Sequence, residues 1–575
     1  MSALHDTTVA LPPGLTVCDV AIVGYGPVGM TCAALLAQAG LDVIVVEQHP
    51  QRYAHSRAGH LDGETMRTFQ RLGIAERIEL IARPMLCWQL VTAEREQLAT
   101  IRLGESGSGW KADYLSHQPE LEAIIDSRVL ELGGRVIMGM TAEQVSQDAD
   151  GVRLTVRPTA DPEAGTRTIQ ASYLIGADGA RSFVRTTLGI RREDLGFSAN
   201  DELVIDFEHH DPDRDLPQLP DVYQVLDPAR PQLAGRWSGG RWSRWEFHAV
   251  GDETREDLDN EETCWKLLAT WGITPEHGRI DRRAVYRFES TLADRWRIGR
   301  VFLMGDAAHT MPPFMGQGML SGVRDAVNLS WKLAAVFAGE AEETLLDTYQ
   351  AERAPHVRAL IDASVAVAET ALLTDPERAR LRDDALRRGE LPTPPRFPRL
   401  GAGIVRPETA EGAVESDGRP SPQARVAFGT RVDRLDQFLT PGWTLVSRHA
   451  VPEELFDARQ RRLLEELDVT FVHVTPGGRT RRLPGHRRRV RPLVPPERTE
   501  GVPPAPRRIR LRRRTLGRPG ARPPGPAGRP AGRARLVQAA ARRRGLTPQG
   551  SVPTSRPTRR RDSLHPGSPA PSSGA

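Results

Sequence analysis

The chain has 575 residues, with 78 basic and 74 acidic side chains that leave a formal net charge of +4. At about 150 residues per domain this length predicts three or four units. No run of about 18 apolar residues occurs, which argues against a membrane span. The four cysteines form no CxxC pair and no metal spacing with histidine, so we expect free thiols, no bound metal and a cytoplasmic protein.

The basic charge is concentrated at the end of the chain. Residues 476–575 hold 26 arginines, no lysine, 3 acidic residues, 19 prolines and no aromatic residue of the Phe, Trp or Tyr type. This composition buries too little apolar surface to offset chain entropy, so disorder is predicted. A solvated linker and a nucleic-acid-binding tract are two interpretations. The abrupt change near Pro476 favours a third, a GC-rich coding sequence read out of frame, and we predict no nucleic-acid partner.

The elements begin after a loose leader over residues 1–16. From 18 to 47 the pattern is strand, glycine-rich turn, helix and strand, which is a βαβ unit. The later predicted elements are helices over 64–80 and 119–133, an antiparallel ribbon over 134–147 and 151–158, strands over 172–178, 202–207 and 243–250, helices near 255–271, 318–333 and 342–370, a proline-rich linker over 391–400, and a small α/β piece over 424–475.

The turn after the first strand has the pattern G-x-G-x-x-G, formed by Gly24, Gly26 and Gly29. The first glycine permits the tight turn, the second lets a pyrophosphate approach the backbone, and the third lets the helix pack on the sheet. The helix N-terminus offers free N–H groups to the anion. Glu47 ends the second strand, where a carboxylate can accept from ribose hydroxyls. The turn therefore predicts a dinucleotide site, without deciding between FAD and NAD.

Two later motifs bear on the choice between FAD and NAD. The first is 176-GADGARSFVR-185, in which Asp178 ends a strand before a helix. The second runs from 305-GDAAH-309 through 312-PPFMGQG-318, a rigid Pro-Pro turn with two glycines at a helix start. Such a loop presents backbone N–H groups, and the helix dipole favours a nearby anion.

In this order the three motifs resemble those of the class A FAD-dependent aromatic hydroxylases, the phenol hydroxylase-like flavin monooxygenases. The resemblance spans residues 18–370, and more faintly a thioredoxin-like piece that ends near 475. It implies that Asp178 lies near the FAD pyrophosphate, that Asp306 accepts from a ribityl hydroxyl, and that Pro313 lies beside the reactive flavin face as the candidate catalytic position.

The same resemblance implies lesser cofactor contacts for Arg57 and Gln118. A surface arginine and a polar residue at a helix start are the plainer interpretations of these two. The complete predicted set of FAD-binding residues is Gly24, Gly26, Pro27, Val28, Gly29, Glu47, Gln48, Arg57, Gln118, Asp178, Gly305, Asp306, Pro313, Gly316, Gln317, Gly318 and Met319.

The resemblance also implies the reaction. NADH, or NADPH, reduces the flavin, and O2 then supplies one oxygen atom to the carbon ortho to a phenol hydroxyl. Leu320 stands where the commoner family form has Asn. In this respect the sequence is closer to the branch that acts on 3-(3-hydroxyphenyl)propionate and 3-hydroxycinnamate in aromatic catabolism. We therefore predict a small phenolic acid as substrate, with a hydroxylase of polycyclic, polyketide-type aromatics as the alternative. A flavin-dependent halogenase is disfavoured because its Trp-x-Trp-x-Ile signature is not visible.

The substrate pocket itself is not legible in the sequence. The region 223–290 holds aromatic and basic residues for which packing or surface roles are the more ordinary interpretation: Tyr223, Trp242, Trp245, His248, Tyr286 and Arg287.

We predict an α/β fold in which a Rossmann-like FAD-binding domain is interleaved with a β-rich substrate domain, and a homodimer is possible. The predicted boundaries are 1–16 for the leader, 17–200 and 291–390 for the FAD-binding domain, 201–290 for the substrate domain, 400–475 for an incomplete thioredoxin-like α/β domain, and 476–575 for the disordered tail.

Overall fold

The computed structural model describes most of the chain up to residue 482. The described residues are 15–161, 163–198, 201–211, 219, 221–390, 397–407, 409–410, 412–448, 455–474 and 480–482. The predicted leader up to residue 14, the first part of the proline-rich linker and nearly all of the predicted tail lie outside them.

The strands of the described residues are β1 Leu15–Val23, β2 Val43–Val46, β3 His60–Asp62, β4 Arg83–Pro84, β5 Cys87–Val91, β6 Gln97–Arg102, β7 Asp113–Leu115, β8 Arg135–Ile137, β9 Met140–Gln147, β10 Val152–Pro158, β11 Arg167–Gly176, β12 Arg192–Ser198, β13 Glu202–His209, β14 Val222–Val225, β15 Gln232–Arg236, β16 Trp242–His248, β17 Gly278–Tyr286, β18 Glu289–Ala293, β19 Arg297–Ile298, β20 Val301–Leu303, β21 His309–Thr310, β22 Arg425–Phe428, β23 Arg431–Arg434, β24 Thr444–Ser447, β25 Thr470–Val474 and β26 Thr480–Arg482.

The α-helices are α1 Pro27–Gln38, α2 Gly63–Leu72, α3 Ala75–Glu79, α4 Gln118–Glu131, α5 Phe183–Thr187, α6 Arg255–Leu258, α7 Glu261–Ala269, α8 Gly318–Phe337, α9 Thr348–Ala371, α10 Pro376–Arg387 and α11 Ala458–Glu466. Short 3-10 turns cover Ser238–Gly240, Gly305–Ala307, Pro313–Met315, Glu343–Asp347 and Leu435–Phe438.

The first sheet is built on a parallel core in the order β20, β11, β1, β2, β8. Helix α1 connects β1 to β2, as the βαβ pattern predicts. The predicted antiparallel ribbon is also present, because β9 pairs with β10 and β10 with the first half of β11. β1 and β2 are buried along most of their length, which explains their nearly continuous apolar sequence. The strand β1 begins at Leu15, inside the predicted leader.

A second sheet has seven strands in the order β17, β13, β16, β15, β14, β5, β6. All pairs are antiparallel except β14 with β5. β5 and β6 come from a segment that the predicted boundaries assign to the FAD-binding domain, so this sheet is not confined to the predicted substrate domain at 201–290. The sequence did not show this because β5 pairs with a strand more than 130 residues away, and local patterns carry no record of such a partner.

The C-terminal piece is a small α/β unit packed against the hairpin before β7. In it β22 pairs with β23, β24 runs parallel to β25, and β26 pairs with β25. Gln423 is 2% exposed and its backbone N–H donates to Gly107 O over 2.7 Å. β26 at Thr480–Arg482 pairs with β25, so this sheet extends beyond the predicted domain end at 475.

One buried carboxylate ties α8 and α9 to the turn after β20. Asp325 accepts hydrogen bonds from Gly305 N at 3.1 Å, His309 Nε2 at 2.8 Å and Arg353 Nε at 2.8 Å. Burial would raise the pKa of Asp325, but Arg353 and His309 outweigh it and hold the pKa below its usual value.

Within the described residues, no helix is both long enough and apolar enough to cross a bilayer.

Replacing Arg353 with Met would leave the Asp325 charge buried without its main partner. Because an uncompensated buried charge costs about 3–5 kcal/mol, we expect a large loss in the free energy of unfolding. Arg358→Met on the same helix removes two exposed ion pairs, with Glu193 and Asp362, and should cost about 1 kcal/mol or less. Urea denaturation of both variants measures the difference, and equal losses would contradict the role of Arg353.

Candidate active site

The turn between β1 and α1 requires glycine at two positions for steric reasons. Gly24 has φ +102°, and a Cβ there would lie 2.4 Å from Ala177 O. A Cβ on Gly29 would lie 2.2 Å from Gly24 O, so this glycine lets α1 pack on the turn. Gly26 differs, since its Cβ would meet nothing within 4 Å. Gly26 therefore faces open space, where the sequence motif predicts a pyrophosphate.

The first turn of α1 borders this open space. Gly26 is the N-cap and no side chain caps the helix, while Pro27 occupies the first turn. The N–H groups of the first turn have no intrahelical partner, and together with the helix dipole they form a binding site for an anion. The side chain of Val28 points away from this open space. A Cβ on Gly305 would lie 3.3 Å from a methyl carbon of Val28, and a Cβ on Gly322 would lie 2.4 Å from one.

Glu47 is held in place by two backbone N–H groups. Tyr25 N donates to Oε2 over 2.8 Å and His49 N donates to Oε1 over 2.9 Å. The carboxylate is thus fixed beside the glycine turn at the end of β2, and its remaining lone pairs can accept from ribose hydroxyls. Gln48 is exposed, and within the described residues only its backbone carbonyl is bonded, by Thr159 Oγ1.

The loop that carries Arg57 is bonded on both of its edges. Gln118 is buried, and its Oε1 accepts from Arg57 N at 2.9 Å and Ala58 N at 2.7 Å. On the opposite side Arg244 donates to Ser56 O over 2.9 Å and to Arg57 O over 3.2 Å. Gln118 also donates to Glu122 Oε1, so its side chain positions the loop. The Arg57 side chain is exposed and lies over the Tyr53 ring.

Asp178 serves the turn into α5. Its carboxylate accepts from Ser182 Oγ at 2.5 Å and from Val184 N at 3.0 Å. Burial raises the pKa of this carboxyl group, against the effect of those hydrogen bonds. Both carboxylate oxygens are engaged within the protein, so the structure gives Asp178 a capping role beside Gly24 rather than a free acceptor.

Asp306 has the opposite character. It follows Gly305, whose φ of +57° brings the turn against Val28. Its side chain is exposed, and desolvation by the surrounding protein raises the pKa of its carboxyl group against the opposing effect of His309 and Arg57. Among the described residues the Asp306 carboxylate has no hydrogen-bond donor. It is a ready acceptor for a ligand hydroxyl, as the resemblance implies.

The loop from Pro312 to Met319 is rigid. Gly316 has φ +62°, its N–H donates to Pro313 O over 2.7 Å, and a Cβ there would lie 2.5 Å from His60 Nδ1. α8 then begins at Gly318 without a side-chain cap, so the first-turn N–H groups, including that of Met319, are available to a ligand. Gln317 is buried, and its Oε1 accepts from Arg324.

Sequence reasoning missed the side chains that support this loop. His60 Nε2 lies 2.6 Å from Asp113 Oδ1, and its Nδ1 lies 3.3 Å from Gly316 O. Burial would lower the pKa of His60, but the bond to Asp113 raises it. Arg324 binds Asp62 and Glu64 as well as Gln317. None of these residues lies in a glycine motif, and their partners are distant in the chain, so the sequence held no signal for them.

The aromatic and basic residues noted at 223–290 have packing and pairing roles. Trp245 is fully buried and Trp242 stacks on His117 at 4.0 Å. His248 lies 3.1 Å from Glu202 Oε2, and Arg287 pairs with Asp201. Tyr223 packs near Trp271, and Tyr286 stacks on Phe288.

The site fits FAD at its three parts. The open space at Gly26 with the α1 N-terminus suits a pyrophosphate, the unpaired Asp306 carboxylate suits a ribityl hydroxyl, and the uncapped α8 N-terminus suits the polar edge of the flavin ring. The fold and site define a flavin-dependent aromatic monooxygenase.

Comparison with known proteins establishes the family. Residues 17–364 match the FAD binding domain family and residues 418–494 match the HcaD C-terminal domain. The chain therefore belongs to the FAD-dependent aromatic hydroxylases, which confirms the resemblance in the sequence. The second match runs past residue 475, in agreement with the position of β26.

Three similar proteins indicate the range of the family. A probable NADH-specific resorcinol 4-hydroxylase from Rhodococcus jostii is 38% identical over 76% of this chain and 81% of its own length. A 3-(3-hydroxy-phenyl)propionate/3-hydroxycinnamic acid hydroxylase from Mycolicibacterium smegmatis is 33% identical over 80% and 82%. The structure of aklavinone-11 hydroxylase with FAD and aklavinone has a TM-score of 0.66 and 25% identity over 80% and 89%.

Gly26→Ala should lower FAD affinity, whereas Gly29→Ala should lower the stability of the apoprotein. The Cβ at Gly26 enters open space, so we expect an apoprotein of unchanged melting temperature whose FAD affinity falls, because the methyl group occupies the anion's approach. The Cβ at Gly29 would clash with backbone and should lower the melting temperature itself. Thermal unfolding of the apoproteins and FAD titration separate the two, and normal FAD binding by Gly26→Ala would contradict this assignment.

Asp306→Ala should weaken FAD retention. Loss of a hydrogen bond to a charged acceptor costs about 1.5–3 kcal/mol, or about ten- to a hundredfold in affinity. Asp294→Ala, which removes a carboxylate on the surface, is the matched control. Flavin content after purification and the FAD dissociation constant measure the effect, and full flavin content in Asp306→Ala would count against the role.

Proposed function

We propose that this protein uses NADH and O2 to hydroxylate a small phenol that carries a second substituent in the meta position, at a carbon ortho to its hydroxyl. The observation that carries the proposal is the unpaired Asp306 carboxylate between the Gly26 cradle and the uncapped α8 N-terminus. The chemistry supplied by bound FAD would be hydride acceptance from NADH and activation of O2.

The protein's own contribution is to hold and orient. The α8 N-terminus, with its dipole and free N–H groups, would stabilise negative charge on a flavin ring bound beside it. Pro313 and Gly316 fix the loop that would hold the ring. Gln118 and Arg244 fix the backbone of Arg57. The packed Trp237 and Trp242, with Met85 and Leu115, exclude water from the space beside the sheet.

The names of the two relatives that act on small aromatic molecules share one substrate feature, a phenol with a meta substituent. The resorcinol hydroxylase acts on a benzene with two hydroxyls, and the second relative on a phenol with a propionate or acrylate chain. The sequence favoured 3-(3-hydroxyphenyl)propionate, to give the 2,3-dihydroxy product in aromatic catabolism. The polycyclic alternative is supported only by structural relatives at 25% identity, so we place it behind both.

A panel of phenols tests the proposal. We expect NADH consumption and hydroxylated product to rise together for 1,3-dihydroxybenzene, 3-(3-hydroxyphenyl)propionate or both, and to remain low for a tetracyclic aromatic. Product is quantified beside peroxide, because NADH consumed with peroxide and no product is uncoupled turnover. A holoprotein that hydroxylates only the tetracyclic compound would overturn the substrate class while leaving the reaction type in place.

A further inference from the structure

Alternate residues of β16 divide between the two faces of the seven-stranded sheet. Trp245 and Phe247 are fully buried in the cluster that includes Leu268 of α7. Because side chains alternate along a strand, Arg244 and Glu246 belong to the opposite face. That face is the one not covered by α7.

This opposite face is turned toward the FAD site. Arg244 reaches the carbonyls of Ser56 and Arg57, in the loop held by Gln118. In the pairing register Glu246 stands beside Leu233, Leu233 beside Gln224, and Gln224 beside Leu90. The three strand-to-strand steps span about 14 Å.

At the far end of that row, Leu90 packs against the apolar cluster that contains Phe314 of the Pro313–Met315 turn. Glu246 therefore shares its face of the sheet with Arg244, which binds the Arg57 loop, and with Leu90, which packs against the cluster that contains Phe314.

The Glu246 carboxylate makes no hydrogen bond among the described residues. Its ion-pair partner is Arg244, whose Nη1 lies 3.8 Å from Oε1. Arg244 is already committed to Asp206, at 2.7 Å, and to the two carbonyls. The Glu246 side chain retains 14% exposure, so it is enclosed and yet reachable.

The surrounding charge disfavours a second anion. Glu202 and Asp206 of β13 lie near Glu246, and Arg282 is bound to Asp206 and to Ser56 O. Arg287 pairs with Asp201, and Arg230 with Glu253. These arginines are thus already paired. A substrate carboxylate placed beside Glu246 would meet the carboxylates of Glu246, Glu202 and Asp206.

We propose that Glu246 accepts a hydrogen bond from the second hydroxyl of the substrate, and that it selects a neutral 1,3-dihydroxybenzene over a phenol bearing a carboxylate chain. This inference rests on the proposed function and narrows it. A hydroxyl donates to the carboxylate at little electrostatic cost, whereas a propionate would be repelled by it in a poorly hydrated site.

The test compares binding and turnover in the FAD holoenzyme. The dissociation constants of 1,3-dihydroxybenzene and 3-(3-hydroxyphenyl)propionate are measured by calorimetry without NADH, and kcat and KM are measured with it. The variants are Glu246→Gln, Glu246→Ala and the control Glu262→Gln. Glu262 lies on α7 at the opposite face, exposed and paired with Lys266.

We expect the wild type to bind the neutral diphenol more tightly. Glu246→Gln should weaken that binding about tenfold, the equivalent of about 1.4 kcal/mol, and should tighten binding of the propionate. The FAD dissociation constant and the melting temperature should be unchanged, which shows that the variant is folded. Glu262→Gln should behave as the wild type.

The pH dependence gives a second readout. Burial, with Glu202 and Asp206, raises the pKa of Glu246 to about 7 against the opposing effect of Arg244. The carboxylate is therefore charged above about pH 7 and neutral below it. Affinity for the diphenol should fall, and affinity for the propionate should rise, as the pH is lowered through 7. Both trends should disappear in Glu246→Gln.

Three results separate failure of this inference from failure of the proposed function. Hydroxylation of either phenol with the same ratio of dissociation constants in wild type and Glu246→Gln would overturn the inference alone, as would a wild type that prefers the propionate. A flavin-loaded wild type that hydroxylates no phenol would overturn the proposed function and this inference with it.

Discussion

The architecture of the cofactor site depends on the buried carboxylate of Asp325. It receives hydrogen bonds from the turn at Gly305, from His309 and from Arg353. These contacts fix the start of α8 against the turn that carries Asp306. A buried carboxylate is stabilised only when its oxygens accept hydrogen bonds from enough donors and a cation balances its charge. The position of Asp306 and the direction of the α8 dipole therefore follow from one interaction.

Close packing of small residues completes this arrangement. Val28 of α1 lies against Gly305 and Gly322, where any Cβ would displace it. The N-termini of α1 and α8 are consequently brought beside the same turn. The predicted pyrophosphate would lie at one helix end and the predicted flavin ring at the other, so that a single ligand would span two helix dipoles. The seven-stranded sheet joins this assembly through Arg244 and Arg282, which donate to the carbonyl of Ser56 in the Arg57 loop.

The sequence predicted the parts of the site that consist of backbone. Gly24, Gly26 and Gly29, the turn at Asp306 and the Pro313 loop were recognisable because a turn or a close approach restricts the residue type at each position. Predictions for polar side chains were less specific. Gln118 and Asp178 lie at the site, but their polar atoms are bonded to the loop and to the α5 turn. An ordinary role at a helix start, one of the two interpretations of Gln118, describes its position well.

The sequence by itself determined the fold class, the family and the cofactor, because these depend on local motifs whose glycines and prolines have few alternatives. Only the tertiary structure decided which carboxylates are free and which are paired. Asp306 and Glu246 lack hydrogen bonds within the described residues, whereas Asp178 and Asp325 are fully engaged. That difference arises from donors on strands and helices far away in the chain, brought near by β-sheet register and helix packing. It is why the face of the seven-stranded sheet that carries Glu246 was not apparent from the sequence.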